Sequence, residues 1–220
     1  MFSGQVEFEP SASWPPSLAP SADSGLRPTP KASSHCQSFH YTLSDRHQLR
    51  LLQLRDAEEL FELIEANRSY LKQWLSWLET TQTVEDTQHF IRQTRRRAQD
   101  NQGFSAAVCY DGNIAGVIGM HDFHKCDRKS SIGYWLAQSQ QHKGLMSASC
   151  KALIDYGFNQ LNLNRISILC ATGNTQSRAI PERLGFTHEG TLRQAQWIDD
   201  RCVDHEIYAM LRHEWVKPSL

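Results

Sequence analysis

The stretch QQHKGLMSASCKALIDYGF, from Gln140 to Phe158, decides how this chain is read. Polar residues crowd around one glycine, and the chain then turns into an amphipathic run. A helix N-terminus presents unpaired N–H groups and the positive end of the helix dipole. Gln141, His142, Lys143 and Gly144 stand directly before such a start, which points to an anion-binding loop. Three patterns compete for it. A P-loop needs GxxxxGK followed by Ser or Thr, but Lys143 precedes the glycine and no hydroxyl is placed to hold Mg²⁺. A Rossmann turn needs three spaced glycines, and only Gly144 is present. The pattern that fits is Gln-x-x-Gly-x-small, here Gln141-His142-Lys143-Gly144-Leu145-Met146, with Met146 as the departure. The plainer alternative is a glycine that relieves crowding at a helix start, among solvated polar residues.

The flanking pattern supplies the context. LRLLQLR (Leu49–Arg55) alternates like a strand, and Asp56 is placed to cap the helical run AEELFELIEANRSYLKQWL. A second helix is expected after Thr83. FSAAVCYDGNIAGVIGMHDF reads as two strands about Asp111–Gly112, a strong hairpin signal. SSIGYWLA (Ser130–Ala137) follows as a further strand, then the helix after Gly144, then the strand RISILCA (Arg165–Ala171). A short helix about Ser177–Leu184 and strands near Gly190–Trp197 and Glu206–Leu211 complete the series. The order describes one mixed α/β domain: an antiparallel meander, then a strand–helix–strand crossover that handedness rules make parallel.

Composition narrows the function classes. The chain has 220 residues, 40% of them hydrophobic, enough for one sizeable core. With 23 basic against 24 acidic residues, no general affinity for nucleic acid or anionic membrane is expected. No apolar run reaches the roughly 20 residues of a membrane span, and the N-terminus reads as free of a leader. The six cysteines lack CxxC pairing, so reduced thiols in a cytoplasmic protein are expected. Residues 1–37 are rich in Pro, Ser and Ala without a usable period, and read as a tail that cannot bury enough apolar surface to order itself. HDFHKCD (His121–Asp127) lacks zinc-ligand spacing, so no metal is expected. The arginines of RQTRRR (Arg92–Arg97) share a helix with Glu85, Asp86 and Asp100, and read as a solvated face.

Beyond the loop, ANRSYLKQWLSWL (Ala66–Leu78), IGYWLA (Ile132–Ala137), NTQSRAIPERLGFTHEGTLRQ (Asn174–Gln194) and DHEIYAML (Asp204–Leu211) complete a pattern. In order, these segments resemble the GNAT superfamily of N-acetyltransferases. They are most similar to the branch that acetylates the N-terminal Ser or Ala of ribosomal proteins, in which Met is common at the position of Met146. The resemblance spans about Phe39–Trp215. It implies an α/β GNAT fold: a mixed central sheet with antiparallel N-terminal strands, a parallel strand–helix–strand acetyl-CoA unit, and flanking helices. The N-acetyltransferase domain would occupy 38–216, between the tail at 1–37 and a short C-terminal tail at 217–220.

The resemblance also implies a site. The backbone amides of Gln141, His142, Lys143, Gly144, Leu145 and Met146 would hold the pyrophosphate of acetyl-CoA, and Lys143 would add charge unless it is a solvated loop lysine. The strand carrying Trp135 and Leu136 would pair with the pantetheine arm, and a backbone N–H near Leu136 would polarise the thioester carbonyl. Asn174 would bind the same arm and Ser177 would lie near the sulfur. Many relatives place a tyrosine acid seven residues after the Asn; Pro181 stands there, which leaves Ser177, or a water it holds, as the acid. Read without the resemblance, the pair is an Asn turn and a Ser helix cap. The base is open: Gln196 stands where some relatives carry Glu, and Asp122, His121, Glu189 and His205 are the substitutes. A peptide α-amine, with pKa about 7.7–8.0, is roughly a tenth neutral at pH 7, whereas a lysine is below about 0.1%. A site without a strong base therefore suits an N-terminus. Trp74 and Trp77 read as core residues or as a wall of the acceptor groove. The expected acceptor is a protein N-terminus, ribosomal by resemblance, with a small amine such as a polyamine or antibiotic as the alternative. A non-catalytic acyl-CoA-binding module and a homodimer both remain open.

Overall fold

The computed structural model describes residues 39–215; the expected tails at 1–37 and 217–220, and Cys36 with them, lie outside the described residues. The centre of the fold is set by two strands that are buried on both faces. β3 (Phe104–Tyr110) and the first two-thirds of β4 (Asn113–His124) are almost continuously buried, so their apolar runs do not alternate with polar residues. Neighbouring residues nevertheless part to opposite sides. Ala106 and Val108 join one core with Ile118, Met120 and Leu153, while Ala107 and Cys109 join another with Leu60, Ile91 and Val117. Asp111 and Gly112 make the turn between the strands with φ of 52° and 82°, the left-handed pair that a two-residue hairpin requires.

Around this hairpin lie β1 (His40–Ser44), β2 (His47–Leu51), β5 (Lys129–Leu136), β6 (Arg165–Ala171), β7 (Thr187–Ile198) and β8 (Arg201–Leu211). They form an eight-stranded sheet in the order β1-β2-β3-β4-β5-β6-β8-β7, in which β5 and β6 are the parallel pair. Helices α1 (Ala57–Leu71) and α2 (Val84–Gln99) contribute to one core, and α3 (Leu145–Asn159) to the other. The sheet is thus a middle layer. α3 makes the crossover from β5 to β6, and α4 (Thr175–Arg183) follows β6. No helix among the described residues is long and apolar enough to cross a membrane.

Some local expectations need correction. β2 stops at Leu51, and Leu54–Asp56 forms a 3-10 turn instead of prolonging the strand. Asp56 does not cap α1 with its side chain. Its buried carboxylate turns back to accept from the Gln53 amide (2.8 Å) and from Arg50 (2.6 and 3.0 Å), which fixes the bend between strand and helix. β1, too short to show a period, pairs with β2. Thr83 does cap α2: its hydroxyl accepts from the Asp86 amide while the Asp86 carboxylate accepts from the Thr83 amide. Arg92, Arg95, Arg96 and Arg97 are exposed on that helix. Cys109, Cys150 and Cys170 are buried free thiols, Cys202 is half-buried, and Cys126 is exposed.

β4 and β5 approach closely where Gly116 faces Leu136. A Cβ on Gly116 would lie 2.3 Å from the Trp135 carbonyl oxygen and 2.8 Å from the Leu136 Cα, both backbone atoms that cannot swing aside. Gly116→Ala should therefore lower unfolding free energy in urea by about 2 kcal/mol. An unchanged midpoint and slope would show that the strands part without cost.

Candidate active site

β5 and β6 pair at only three positions, Lys129 with Arg165, Ser130 with Ile166 and Ser131 with Ser167. Beyond Ser131 each strand stays with its outer neighbour: β5 follows β4 as far as Leu136, and β6 follows β8 as far as Ala171. The facing edges of Ile132–Leu136 and Ile168–Ala171 thus have no strand partner among the described residues, and a wedge opens in the middle of the sheet. Its two sides differ because side chains alternate along β5. Tyr134 and Leu136 pack with the core on the α3 side, whereas Trp135 meets Trp77 on the α1 side, with ring centroids 6.4 Å apart.

At the open end of the wedge stands the loop singled out in the sequence. Gly144 is the residue before α3, at φ 75° and ψ 0°, and His142 is also left-handed at φ 61°. A side chain at Gly144 would meet no atom within 4 Å, so torsion rather than crowding calls for glycine there. α3 starts with no side-chain cap and no acidic residue in its first turn, unlike α2 with Thr83, Glu85 and Asp86. The Gln141 amide is spent on the Gln138 carbonyl (3.3 Å), and Ala148 is the first helix amide to find a carbonyl, that of Gly144 (3.1 Å). The amides between them, from His142 to Ser147, make no backbone hydrogen bond among the described residues and remain available to an anion.

The loop's side chains are tied to their surroundings. Gln141 donates to the Tyr70 hydroxyl (2.6 Å), which donates to Gln176 of α4 (3.2 Å). Lys143 bonds to Gln140 (2.8 Å) and lies 5.1 Å from the centre of the Tyr110 ring, at the rim of a cavity of about 390 Å³ that Arg46 and Asp111 also line. Leu145 and Met146 are buried. A cation that sequence reading missed also stands at the helix start: Arg183, at the end of α4, donates to Ser147 in the first turn of α3 (2.9 Å). No spacing signals this contact, because it is made across two helices.

Asn174 and Ser177 lie where β6 gives way to α4, and their roles separate. Asn174, not Ser177, is the helix cap: its side-chain oxygen accepts from the Ser177 amide (3.1 Å). The Ser177 carbonyl accepts from the Tyr134 hydroxyl (2.9 Å), and its own hydroxyl lies 3.4 Å from the same oxygen. Burial raises the Tyr134 phenol well above its ordinary pKa, so it stays a protonated donor. Pro181 is buried inside α4.

On the α1 side, Trp74 and Trp77 are both half-buried. The Arg201 guanidinium lies 5.9 Å from the centre of the Trp74 ring. Among the base candidates, His121, Asp122 and Glu189 lie at the far end of the strands, where β5 and β6 still pair. Asp122 accepts from Ser131 there (2.7 Å), and Glu189 is ion-paired with Arg165. His205 lies at the open end, opposite Ala171. It is joined to Gln196 (3.0 Å), which donates to Ser76 (3.0 Å). No group of three or more His, Cys, Asp or Glu among the described residues is placed to hold a metal ion.

A sheet that parts beside an uncapped helix start can receive an extended ligand with an anionic end, and comparison with known proteins gives the family. Residues 46–187 match the acetyltransferase (GNAT) domain, and the chain belongs to that family of N-acetyltransferases. The Bacillus subtilis protein YdaF, provisionally named a ribosomal N-acetyltransferase, is 38% identical over 178 residues, covering 80% of this chain and 97% of its own. The ribosomal-protein-serine acetyltransferase of Escherichia coli is 29% identical over 169 residues, 77% of this chain and 94% of its own. Among solved structures, a RimL ribosomal L7/L12 α-N-protein acetyltransferase in complex with coenzyme A superposes with a TM-score of 0.76 at 26% identity, covering 79% and 98% of the two chains. The microcin C7 self-immunity acetyltransferase MccE, in complex with acetyl-CoA and AMP, gives 0.74 at 29% identity, over 77% and 94%.

The two α4 residues should separate in experiment. Asn174→Ala removes the cap and should cost about 1 kcal/mol of stability. Ser177→Ala leaves the capping amide in place and should melt within a degree or two of the parent. Equal losses in a paired thermal melt would return the capping role to Ser177.

Proposed function

We propose that this enzyme transfers the acetyl group of acetyl-CoA to the α-amine of a protein N-terminus, with a ribosomal protein as the substrate class, in the cytoplasm. The observation that carries the reading is the wedge between β5 and β6, closed at one end by pairing and facing at the other the free amides of His142–Ser147. An extended arm with its own amides fits between two unpaired strand edges, and a pyrophosphate fits a helix start without a cap. In this reading the Gln141 amide serves the loop itself, and Gln141 contributes through its side chain to Tyr70. Trp135 and Leu136 supply the edge that receives the pantetheine arm, with a Leu136-region amide polarising the thioester carbonyl. Asn174 lines the arm, and Lys143 adds charge from the side. The acceptor substrate comes from the names of the relatives.

The chemistry then needs no acyl-enzyme. Burial pushes the Cys170 thiol up to about 11 and raises Cys150 further, so neither offers a thiolate nucleophile at neutral pH. The amine nitrogen attacks the thioester carbon directly, the C–S bond breaks, and the departing thiolate takes a proton from Ser177 or from a water it holds. A small amine is the second reading, supported by the comparable likeness to MccE, the microcin C7 self-immunity acetyltransferase.

The deciding assay is thiol release with acetyl-CoA and a panel of acceptors. Peptides with free N-terminal Ser or Ala should turn over, and the same peptides with a blocked N-terminus and a free lysine should not. Turnover on small amines alone would replace the proposal with the second reading, and coenzyme binding without turnover on anything would leave a binding module. Gly144→Val tests the loop separately. A β-branched residue is strained at φ 75° and should pull the loop out of shape, so calorimetry should show acetyl-CoA affinity falling by tenfold or more. Unchanged affinity would remove the anion site.

A further inference from the structure

The proposed reaction leaves one proton unassigned, that of the attacking amine. The side chain that β7 turns towards the open end of the wedge is Gln196, and an amide takes up no proton. We propose that His205 is the general base, accepting the amine proton at Nδ1; this rests on the acyl-transfer reading above and adds the residue that serves it.

Position is the first argument. β8 runs antiparallel to β6, with His205 opposite Ala171, the last residue of β6 and hence at the open end of the wedge. The competing side chains His121, Asp122 and Glu189 all lie at the paired end, with Asp122 and Glu189 already engaged. The direction of the side chain is the second. Strand alternation sends Glu206 and Tyr208 to the α4 side, where Tyr208 bonds to Arg178 and Glu182 (3.2 and 2.7 Å). His205 therefore faces the other side, where Ser76 follows α1 and Trp77 meets Trp135. This is the side from which an acceptor can reach the wedge without crossing α3 and α4.

The third argument is the state of the ring. The Gln196 side-chain oxygen lies 3.0 Å from His205 Nε2, and the Gln196 amide nitrogen donates onward to Ser76. An amide oxygen only accepts, so Nε2 carries the proton and Nδ1 keeps its lone pair. Nδ1 makes no hydrogen bond among the described residues. The groups around the ring leave it neutral: Gln196 and Leu192 on β7, Ala171 on β6 and Ser76 after α1 carry no charge. The neighbouring Asp204 carboxylate accepts from the Gln194 amide (2.7 Å), and Arg201 is held by Trp74 and the Gln73 carbonyl (2.5 Å). Burial holds the imidazole below its ordinary value, and no carboxylate opposes that shift. Gln196 is then the positioning residue, holding the ring through Nε2.

The protons balance. The amine nitrogen forms the new bond to the carbonyl carbon and gives its proton to Nδ1. The C–S electrons leave on sulfur, which takes a proton from Ser177 or its water. The imidazolium returns its proton to solvent, which restores the donor, so the net transfer is from amine to thiol.

The test is steady-state kinetics of full-length parent and His205→Gln with acetyl-CoA and an N-terminal Ser peptide, from pH 6 to 9.5. General base catalysis is worth about 10²–10⁴-fold, and a partly neutral α-amine places the expected loss of kcat at the low end, about 100-fold at pH 7. KM for acetyl-CoA and the melting temperature should stay within twofold and a few degrees. The deficit should shrink towards pH 9.5 as hydroxide replaces the lost base, whereas a structural role would give one factor at every pH. His205→Asn is the second variant if His205→Gln melts early. Parent-like kcat in either folded variant, or a pH-independent deficit, overturns the assignment and leaves the transferase reading standing. No turnover by the parent on any amine takes down both.

Discussion

The separation of β5 from β6 after three residue pairs is the constraint on which the rest of the structure depends. Unpaired strand edges are costly inside a protein, because each carries backbone donors and acceptors that must find partners. Here neither strand is short of support. β5 is held by β4 to its last residue, and β6 by β8 along its whole length, so the sheet opens without either half fraying. Gly116 matters for the same reason: it lets β4 sit tightly under the end of β5, the part that has lost its other neighbour. The wedge is braced from both faces, by the Tyr134 hydroxyl on the Ser177 carbonyl and by Trp135 against Trp77.

The second requirement is that α3 keep its N-terminus aimed at the mouth of the wedge. Its apolar face, with Cys150, Leu153 and Ile154 fully buried, fixes the helix on the sheet. A buried polar contact then sets the axial position. Ser149 donates to the Leu145 carbonyl (2.8 Å), which commits its proton, so the His47 ring nitrogen 3.1 Å away is the donor. Burial lowers the His47 pKa, consistent with a neutral ring joining β2 to the first turns of α3. Arg183 reaches Ser147 from α4, adding positive charge where the helix dipole is already positive. An arrangement that stacks two positive features without an acidic cap suits the anion proposed above.

Much of this was legible in the sequence, and the parts that were not share a cause. β3, β4, β6 and α3 were readable because their signals are local: Asp111–Gly112 for the turn, the apolar run of RISILCA for β6, one glycine among polar residues before a helix. Asp56 misled because its residue type favours a helix start, yet a tertiary partner, Arg50, offered a better use for the carboxylate. The capping roles of Asn174 and Ser177 were similarly interchangeable by type and were separated only by geometry. Arg183, Tyr134 and the Gln141–Tyr70–Gln176 chain left no trace in spacing, because each joins elements far apart in sequence. Local chemistry writes itself into a sequence; contacts across the fold do not.

Strand alternation also explains why proton donor and proton acceptor fall on opposite sides of the proposed reaction. Tyr134 points towards α4 and meets Ser177, so hydroxyl groups gather on that face of the wedge. Trp135, one residue on, points towards α1, and His205 shares that side with Gln196 and Ser76. A thioester lying in the plane of the sheet would present its sulfur to one set and its carbonyl carbon to an amine entering from the other. Direct attack is well served by this opposition, because the bond that forms and the bond that breaks share one carbon while their protons travel to and from different groups. A half-buried, neutral imidazole is a modest base, enough for an α-amine that is already partly neutral but poorly matched to a lysine. If His205 is the base, as proposed above, its modest strength matches the N-terminal amine proposed as the acceptor.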